Sequence, residues 1–429
     1  MAVRGTATTR ESHPNLDVPR IQRHTLAILI ISQIVGTIGI GVAPTIGILL
    51  AGEVTSSEAW AGLARVASTL GTASMGIPLG NLAARRGRRF ALSTGWAIAT
   101  VGGLILVAAA QWNLVVPLFA GLFLFGAGAA VTLQARFAAT DLATPANKAR
   151  SLSLVVWMST IGMVLGPNLG APGELVSRHT GLTPYASAFA IAVVFSTAAA
   201  LLILVFLRPD PMLVSRQLEA TERTTSPARA RGALKVIFAE MRRNPSVRLA
   251  VVAIIVAQVV MVSIMTMTPV HVVHQGGSVT LVGITISLHV VGMYALAPVV
   301  GWLTDRLGNR FTIAVGVLIL LASLAIGMIW PENMTGVVAA LILLGLGWSF
   351  VNVSGSALFS RAVPSHARAS AQGGVDALSN LFGATAAFAS GPLMALTSFS
   401  MLSLAGVVFL IPLVALLLRP LGGTSRPGQ

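Results

Sequence analysis

The sequence predicts an all-α membrane protein of twelve transmembrane helices in two pseudo-symmetric six-helix halves. Three observations carry that prediction. The 429 residues are 55% hydrophobic and only 10% charged, whereas a soluble chain carries roughly a quarter charged residues. The apolar residues fall in runs of about 20 or more, the length that crosses roughly 30 Å of hydrocarbon. One thirteen-residue pattern also occurs twice, GNLAARRGRRFAL from Gly80 and GWLTDRLGNRFTI from Gly301, as in a carrier built from two repeats with its site between them.

The elements follow in order. Residues 1–23 contain Pro14, Pro19 and several charges and read as a tail. The apolar run after them is too long for a secretory signal and is a retained span. Spans are expected near 25–50, 60–80, 90–110, 115–138, 152–173 and 186–207, making a first half over 24–207. Residues 208–247 are the longest polar stretch and read as a linker. Leu234, Val236, Ile237 and Met241 line one side of a possible helix there, which would lie partly on the membrane surface; an unstructured linker is the alternative. A second half over 248–418 has spans near 249–270, 281–303, 311–330, 336–359, 370–396 and 399–418, and 419–429 is a short tail. Helices are required, because an open sheet leaves backbone groups unpaired in lipid. The halves echo each other again in Pro78 before Gly80 and Pro298 before Gly301, and in Gly166-Pro167 and Gly391-Pro392.

The net charge of +15 is a topology signal. Arg4, Arg10, Arg20 and Arg23, then Arg85, Arg86, Arg88 and Arg89, Lys148 and Arg150, nine basic residues from Arg208 to Arg248, Arg306 and Arg310, Arg361 and Arg368, and Arg419 and Arg426 all fall on one side of a twelve-span chain. The other side carries Arg178 and almost nothing else basic. By the positive-inside rule both termini are cytoplasmic, in a multi-pass protein of the cytoplasmic membrane. Membrane lipids, rather than nucleic acid, are the partners this charge implies.

The chain has no cysteine, so disulfides and thiolate sites are excluded. No phosphate-binding loop, H-E-x-x-H or G-x-S-x-G appears, so no catalytic residue or cofactor is assigned and the protein is not read as an enzyme. Energy for transport would come from an ion gradient or from the substrate itself.

The two repeated turns resemble motif A of the major facilitator superfamily, a G-x-L-x-D-R-x-G-R-R turn between spans 2 and 3 and between 8 and 9. It covers Gly80, Arg85, Gly87, Arg88 and Arg89 in the first copy, and Gly301, Asp305, Arg306, Gly308 and Arg310 in the second. The run GMVLGPNLGA resembles motif C of the superfamily's proton-antiporter branch, through Gly162, Gly166, Pro167 and Gly170. The resemblance implies the twelve-helix fold, alternating access, a gating role for the motif A turns and a monomer. The first turn has Ala84 where the family usually carries Asp, while the second keeps Asp305; this implies a weaker lock in the first half. Glycines at 162, 166 and 170 recur every fourth residue, so on a regular helix they share one face open to close packing, with a kink at Pro167.

Ionisable groups inside spans are costly and usually functional. Asp376, about two turns into span 11, is the clearest carboxylate in an apolar run. Desolvation favours the neutral form of a carboxylate, so Asp376 is the candidate proton carrier, with Arg361, Arg368 or a helix end as structural partners. Asn380 follows at i+4 and Gly383 at i+7. Arg136, where the family's motif B arginine is found, is the second proton-coupling candidate, and Gln134 lies beside it as a candidate for the substrate cavity. Asp141 is placed to pair with Arg150. Arg65 in span 2 is expected to snorkel outward.

Met261, Met265, His289 and Met293 complete the cavity candidates with Asn380. Met261 and Met265 are i, i+4, as are His289 and Met293. Met267, His271 and His274 stand nearby. Thioether and imidazole are soft ligands suited to Cu(I), and the two pairs resemble the copper-importing, CcoA-like branch; methionine used simply for helix packing is the alternative. The lead functional reading is proton-coupled export of a small amphipathic molecule, the few charges within spans fitting a neutral or cationic one. Import of copper or another small nutrient is the second reading, and a non-transporting membrane sensor or scaffold the third.

Overall fold

The computed structural model of the chain describes residues 17–144, 147–219, 233–363 and 365–419, and every regular element among them is helical. The first span is α1 (Val18–Ile40), a π-helical turn (Ala43–Gly47) and α2 (Ile48–Thr55). Then come α3 (Glu58–Arg86), α4 (Arg88–Trp112) and α5 (Val115–Ala138). The fifth span is α6 (Lys148–Leu165), a 3-10 turn (Gly166–Leu169) and α7 (Gly170–Thr180), and the sixth is α8 (Pro184–Phe206). Two short helices, α9 (Pro211–Glu219) and α10 (Ala233–Arg243), precede α11 (Pro245–His274). The eighth span is split into α12 (Val279–Tyr294) and α13 (Ala297–Leu307), and α14 (Asn309–Ile329), α15 (Met334–Ala362), α16 (Ser365–Leu396) and α17 (Phe399–Leu418) follow.

Ten of these helical segments are long and apolar enough to cross a membrane. α3 and α16 are as long, at 29 and 32 residues, but more polar. They carry Arg65 and Asp376, and they pack against each other at the boundary between the first six and last six spans. Their polarity is tolerated because part of each helix faces protein rather than lipid.

Local chemistry sets the breaks. Gly87 has φ +90° and Gly308 has φ +88°, a region that L side chains rarely enter. Each glycine therefore ends one helix and starts the next within a single residue, α3 to α4 and α13 to α14, at matching positions of the repeated pattern. Side chains of Thr183, Asn244, Ser278, Asn333 and Ser398 accept from backbone N–H groups in the first turns of α8, α11, α12, α15 and α17, satisfying donors that a helix start leaves open. The linker helix α10 does not lie free. It packs on α11 and α16, with Ile237 buried among Val247, Val251, Phe359 and Val375.

The two sets of spans meet at one end and part at the other. At Gly62 of α3 an added Cβ would strike the backbone oxygen of Ala387 in α16. At Gly170 it would stand 2.8 Å from Val279 Cγ1, and at Gly283 2.7 Å from the Pro167 oxygen. Toward the opposite face α13 packs on α14 and α15 of its own set, and the side chains of Arg136 in α5 and Asp376 in α16 are 29% and 61% exposed between the two sets. That open face is the one bearing the Gly87 and Gly308 turns and both ends of the helical array.

Candidate functional site

Two charged side chains meet across the opening. α5 brings Arg136 and α16 brings Asp376, with Arg136 Nη2 4.0 Å from Asp376 Oδ2. Their side chains are 29% and 61% exposed, so both face open space rather than a sealed core. The Nε of Arg136 is buried with no hydrogen-bond partner, and its guanidinium carbon sits 5.1 Å over the Phe137 ring. One turn on, the Asn380 amide donates to the Asp376 carbonyl at 2.8 Å. Arg361 pairs with Asp305 instead, and the side chain of Arg368 lies outside the described residues.

A second cluster forms the wall on the side of the last six spans. Trp348 Nε1 of α15 donates to Gln258 Oε1 of α11 at 3.1 Å. Tyr294, at the break between α12 and α13, packs edge-on against Trp348 with centroids 6.0 Å apart. Gly383 makes room for Gln258, whose Cγ stands 3.3 Å from the glycine's Cβ position. Nearer the closed end, Val262, Met265 and Thr266 of α11 line a narrow cleft with Pro44, Ile48 and Arg65.

The sulfur and imidazole groups are distributed differently. Met261, Met267 and Met293 are buried in one apolar cluster, with Met265 packed against it. His289 is 0% exposed. Its Nδ1 lies 2.7 Å from the Leu341 carbonyl; a carbonyl only accepts, so Nδ1 carries the proton. Nε2 is then a buried acceptor, and it has no partner. His271 is structural, stacked on Phe399 at 4.2 Å and 2.6 Å from the Pro331 carbonyl. Among the described residues no three His, Asp or Glu side chains gather around a common point.

The two glycine turns are locked by different pairs. Arg88 reaches Asp141 through Nε at 2.8 Å and Nη2 at 3.2 Å, a bidentate pair only 11% and 14% exposed. Arg88 Nη1 also donates to Gln134, whose amide donates in turn to the Gly76 carbonyl. Gln134 is thus spent on joining α3, α4 and α5. Asp141 pairs with Arg88; the side chain of Arg150, its expected partner, lies outside the described residues. Asp210 accepts from the Arg89 N–H at 2.7 Å and from Met212 and Leu213 at 3.0 and 3.3 Å, supplying at a helix start the carboxylate missing at Ala84. In the second turn, Asp305 holds Arg361 at 2.6 Å, 68% and 58% exposed, Arg306 lies over Trp302, and Arg310 reaches the carbonyls of Leu417 and Arg419.

The glycine run in span 5 divides its contacts. Gly162 faces Thr37 and Ile34 of α1, and Gly166 comes within 2.6 Å of Gly41 Cα when a Cβ is added. Gly170 faces Val279 of α12 instead. The shared face expected from the spacing is broken because the segment Gly166–Leu169 is 3-10 helical, which advances each residue about 20° further than an α-helix. Asn168 in that turn donates to Ser287 Oγ of α12 at 2.7 Å.

The family model of the Major Facilitator Superfamily matches residues 28–387 and again residues 272–429. The chain belongs to the major facilitator superfamily. It is 36% identical to the uncharacterized MFS-type transporter YddS of Bacillus subtilis over 405 residues, covering 92% of this chain and 91% of the relative. It is 29% identical to the riboflavin transporter RfnT of Brucella anthropi over 402 residues, covering 93% and 95%. Among solved structures, the nucleoside transporter NupG superposes with a TM-score of 0.70 at 16% identity, covering 92% of this chain and all of the other. The protein is a multi-pass membrane transporter, not an enzyme.

Within this superfamily member, sequence reasoning did not find Gln258, Tyr294, Trp348 or Asp210. A signal was present for two of them. The chain has two tyrosines and seven tryptophans, and polar-tipped aromatics usually sit in belts at the membrane surface. Tyr294 and Trp348 lie inside spans, where their O–H and N–H need partners.

Proposed function

We propose that this transporter exports a small amphipathic compound in exchange for protons across the cytoplasmic membrane, working as a monomer by alternating access. The halves 24–207 and 248–418 rock about the site between them, joined by 208–247. The basic face is the cytoplasmic one by the positive-inside rule, so the arrangement described is inward-facing. Motif A turns at Gly80–Arg89 and Gly301–Arg310 act as the gate, and the motif C glycines set how closely span 5 rides on spans 1 and 8.

The observation that carries this reading is the Arg136–Asp376 contact across the opening. The contact is already made in this inward-facing arrangement, so an ionised Asp376 holds α5 near α16 on the inner side, and a proton on Asp376 lets the two helices part further. Binding of a proton and approach of the halves are then alternatives, as exchange requires. Asn380, Gln258, Trp348 and Tyr294 supply polar and aromatic contacts for an amphipathic body.

The test uses everted membrane vesicles with an imposed inward-acid pH gradient and a panel of amphipathic compounds. Wild type should release lumenal protons when a transported compound is added, and Asp376→Asn should not. Proton release that is unchanged in Asp376→Asn, or absent for wild type across the panel, would refute the exchange.

One observation favours copper import as a second reading, the buried and unpartnered Nε2 of His289 beside methionine-rich α11 and α12. It requires cell copper to rise with expression of wild type and not of His289→Ala, Met265→Ala or Met293→Ala. Unchanged copper returns these side chains to packing.

A further inference from the structure

We propose that Arg65 anchors an anionic group on the transported compound, which makes the substrate an amphipathic aromatic acid. The proposal rests on the reading above in one respect, that the compound enters the space between the halves.

Arg65 lies seven residues into α3, and on a helix facing lipid its side chain would reach outward to the surface. It turns inward instead. It lines the cleft at the closed end with Pro44 and Ile48 of the first span and Val262, Met265 and Thr266 of α11. Those neighbours come from both halves, and the polar atoms among them are few. Among the described residues its guanidinium makes no hydrogen bond or ion pair. The carboxylates that face the arginines are committed elsewhere, Asp376 to Arg136, Asp141 to Arg88 and Asp305 to Arg361.

A guanidinium keeps its charge and presents five N–H donors in a planar fork that matches a carboxylate, sulfonate or phosphate edge. Leaving such a group unpaired within a membrane protein is expensive. An arginine held there with its donors unclaimed is therefore placed for a ligand that brings the acceptors. The cleft is too tight for a water molecule in this arrangement. Its walls move with different halves, so rotation of the halves sets its width, and occupancy by an anion is coupled to the transport state.

The wall beyond the cleft defines the rest of the substrate. Val262 and Met265 follow Gln258 at i+4 and i+7, on one face of α11. Seven residues of helix put Gln258 roughly 10 Å from Met265, toward the open face. There it is bound to Trp348, which packs against Tyr294. A cation, an apolar stretch and an aromatic amide cluster thus lie in line. Their complement is a flat apolar body with an acid group at one end and a stacking or hydrogen-bonding end about 10 Å away. This replaces the neutral or cationic compound expected from the scarcity of charges in the spans.

The experiment is thermal unfolding of the purified full-length protein in detergent, with benzoate or its neutral counterpart benzamide at equal millimolar concentration and matched ionic strength. Benzoate should raise the wild-type midpoint by several degrees more than benzamide does. Arg65→Gln should abolish that difference, Arg65→Lys should keep part of it, and Arg178→Gln in the last turn of α7 should behave as wild type. Equal responses to the two probes in wild type, or none, would overturn the proposal even if Arg65→Gln failed to fold; so would a benzoate response that survives in Arg65→Gln. No pH gradient is involved, so the anion site stands or falls separately from proton exchange.

Discussion

Arg136 and Asp376 are 4.0 Å apart although they belong to spans 4 and 11, in different halves of the chain. The geometry is loose and both side chains are open to solvent, so the attraction amounts to about 1 kcal/mol or less. A pair this weak contributes little to holding the fold. It is well matched to a contact that must be made and broken in every cycle, since a tightly buried pair at the same place would trap one state.

It follows that function and stability should separate at this pair. Asp376→Asn and Arg136→Gln should each change the unfolding midpoint by no more than about 3 °C, while abolishing proton release in everted vesicles. The exchange Arg136→Asp with Asp376→Arg should recover part of the transport lost in either single change. A midpoint that falls in step with transport would reassign the pair to structure.

The two repeated turns should respond unequally to the same kind of mutation. Arg88–Asp141 is nearly buried and bidentate, so Asp141→Ala strands a guanidinium inside protein. Breaking such a pair costs about 3–5 kcal/mol. Asp305–Arg361 is mostly exposed, and Asp305→Ala should cost about 0–1 kcal/mol. Thermal unfolding in detergent reads the difference directly. Equal losses would mean that the burial of the first pair is irrelevant to its strength.

The contrast between these turns shows what the sequence exposed and what it hid. Ten of the runs expected from hydropathy correspond to helical segments long and apolar enough to cross a membrane, and α3 and α16 are helices over the runs expected at 60–80 and 370–396. Hydropathy records contact with lipid and says nothing of which helices are neighbours. The Arg88–Asp141 pair, 53 residues apart in sequence and 2.8 Å apart in space, was therefore not foreseen. Asp376 was recognised from its burial cost, but its partner lies on another half. The helix breaks at Ala43–Gly47 and Gly166–Leu169 depend on how carbonyls near Pro44 and Pro167 are satisfied, which periodicity does not report.

Asp210 offers a third check, because it replaces a carboxylate that the repeated pattern lacks. Its oxygens accept from N–H groups at the starts of α4 and α9. Asp210→Ala should cost about 0.5–2 kcal/mol, the range for a lost helix cap, and should raise proteolysis after residue 207. Asp210→Asn, which keeps one acceptor oxygen, should restore most of the midpoint. A loss as large in Asn as in Ala would point to charge rather than to capping.

The seal at the closed end makes the sharpest conformational prediction. Gly170 packs on Val279, and Gly62 on the Ala387 carbonyl, each across the boundary. A methyl group at either position cannot be housed while the halves touch there, but it leaves packing within each half intact. Gly170→Ala and Gly62→Ala should therefore shift the population toward the arrangement open at this end. Gly166→Ala should act differently, because its methyl meets Gly41, just after α1, within the same half and should lower the unfolding midpoint instead. The chain has no cysteine, so cysteines introduced at the exposed Phe90 and Phe311 of the open face carry spin labels without background. Their separation should shorten in Gly62→Ala and Gly170→Ala, and stay near wild type in Gly166→Ala. An unchanged distance in both seal variants would mean that these glycines do not hold the halves together.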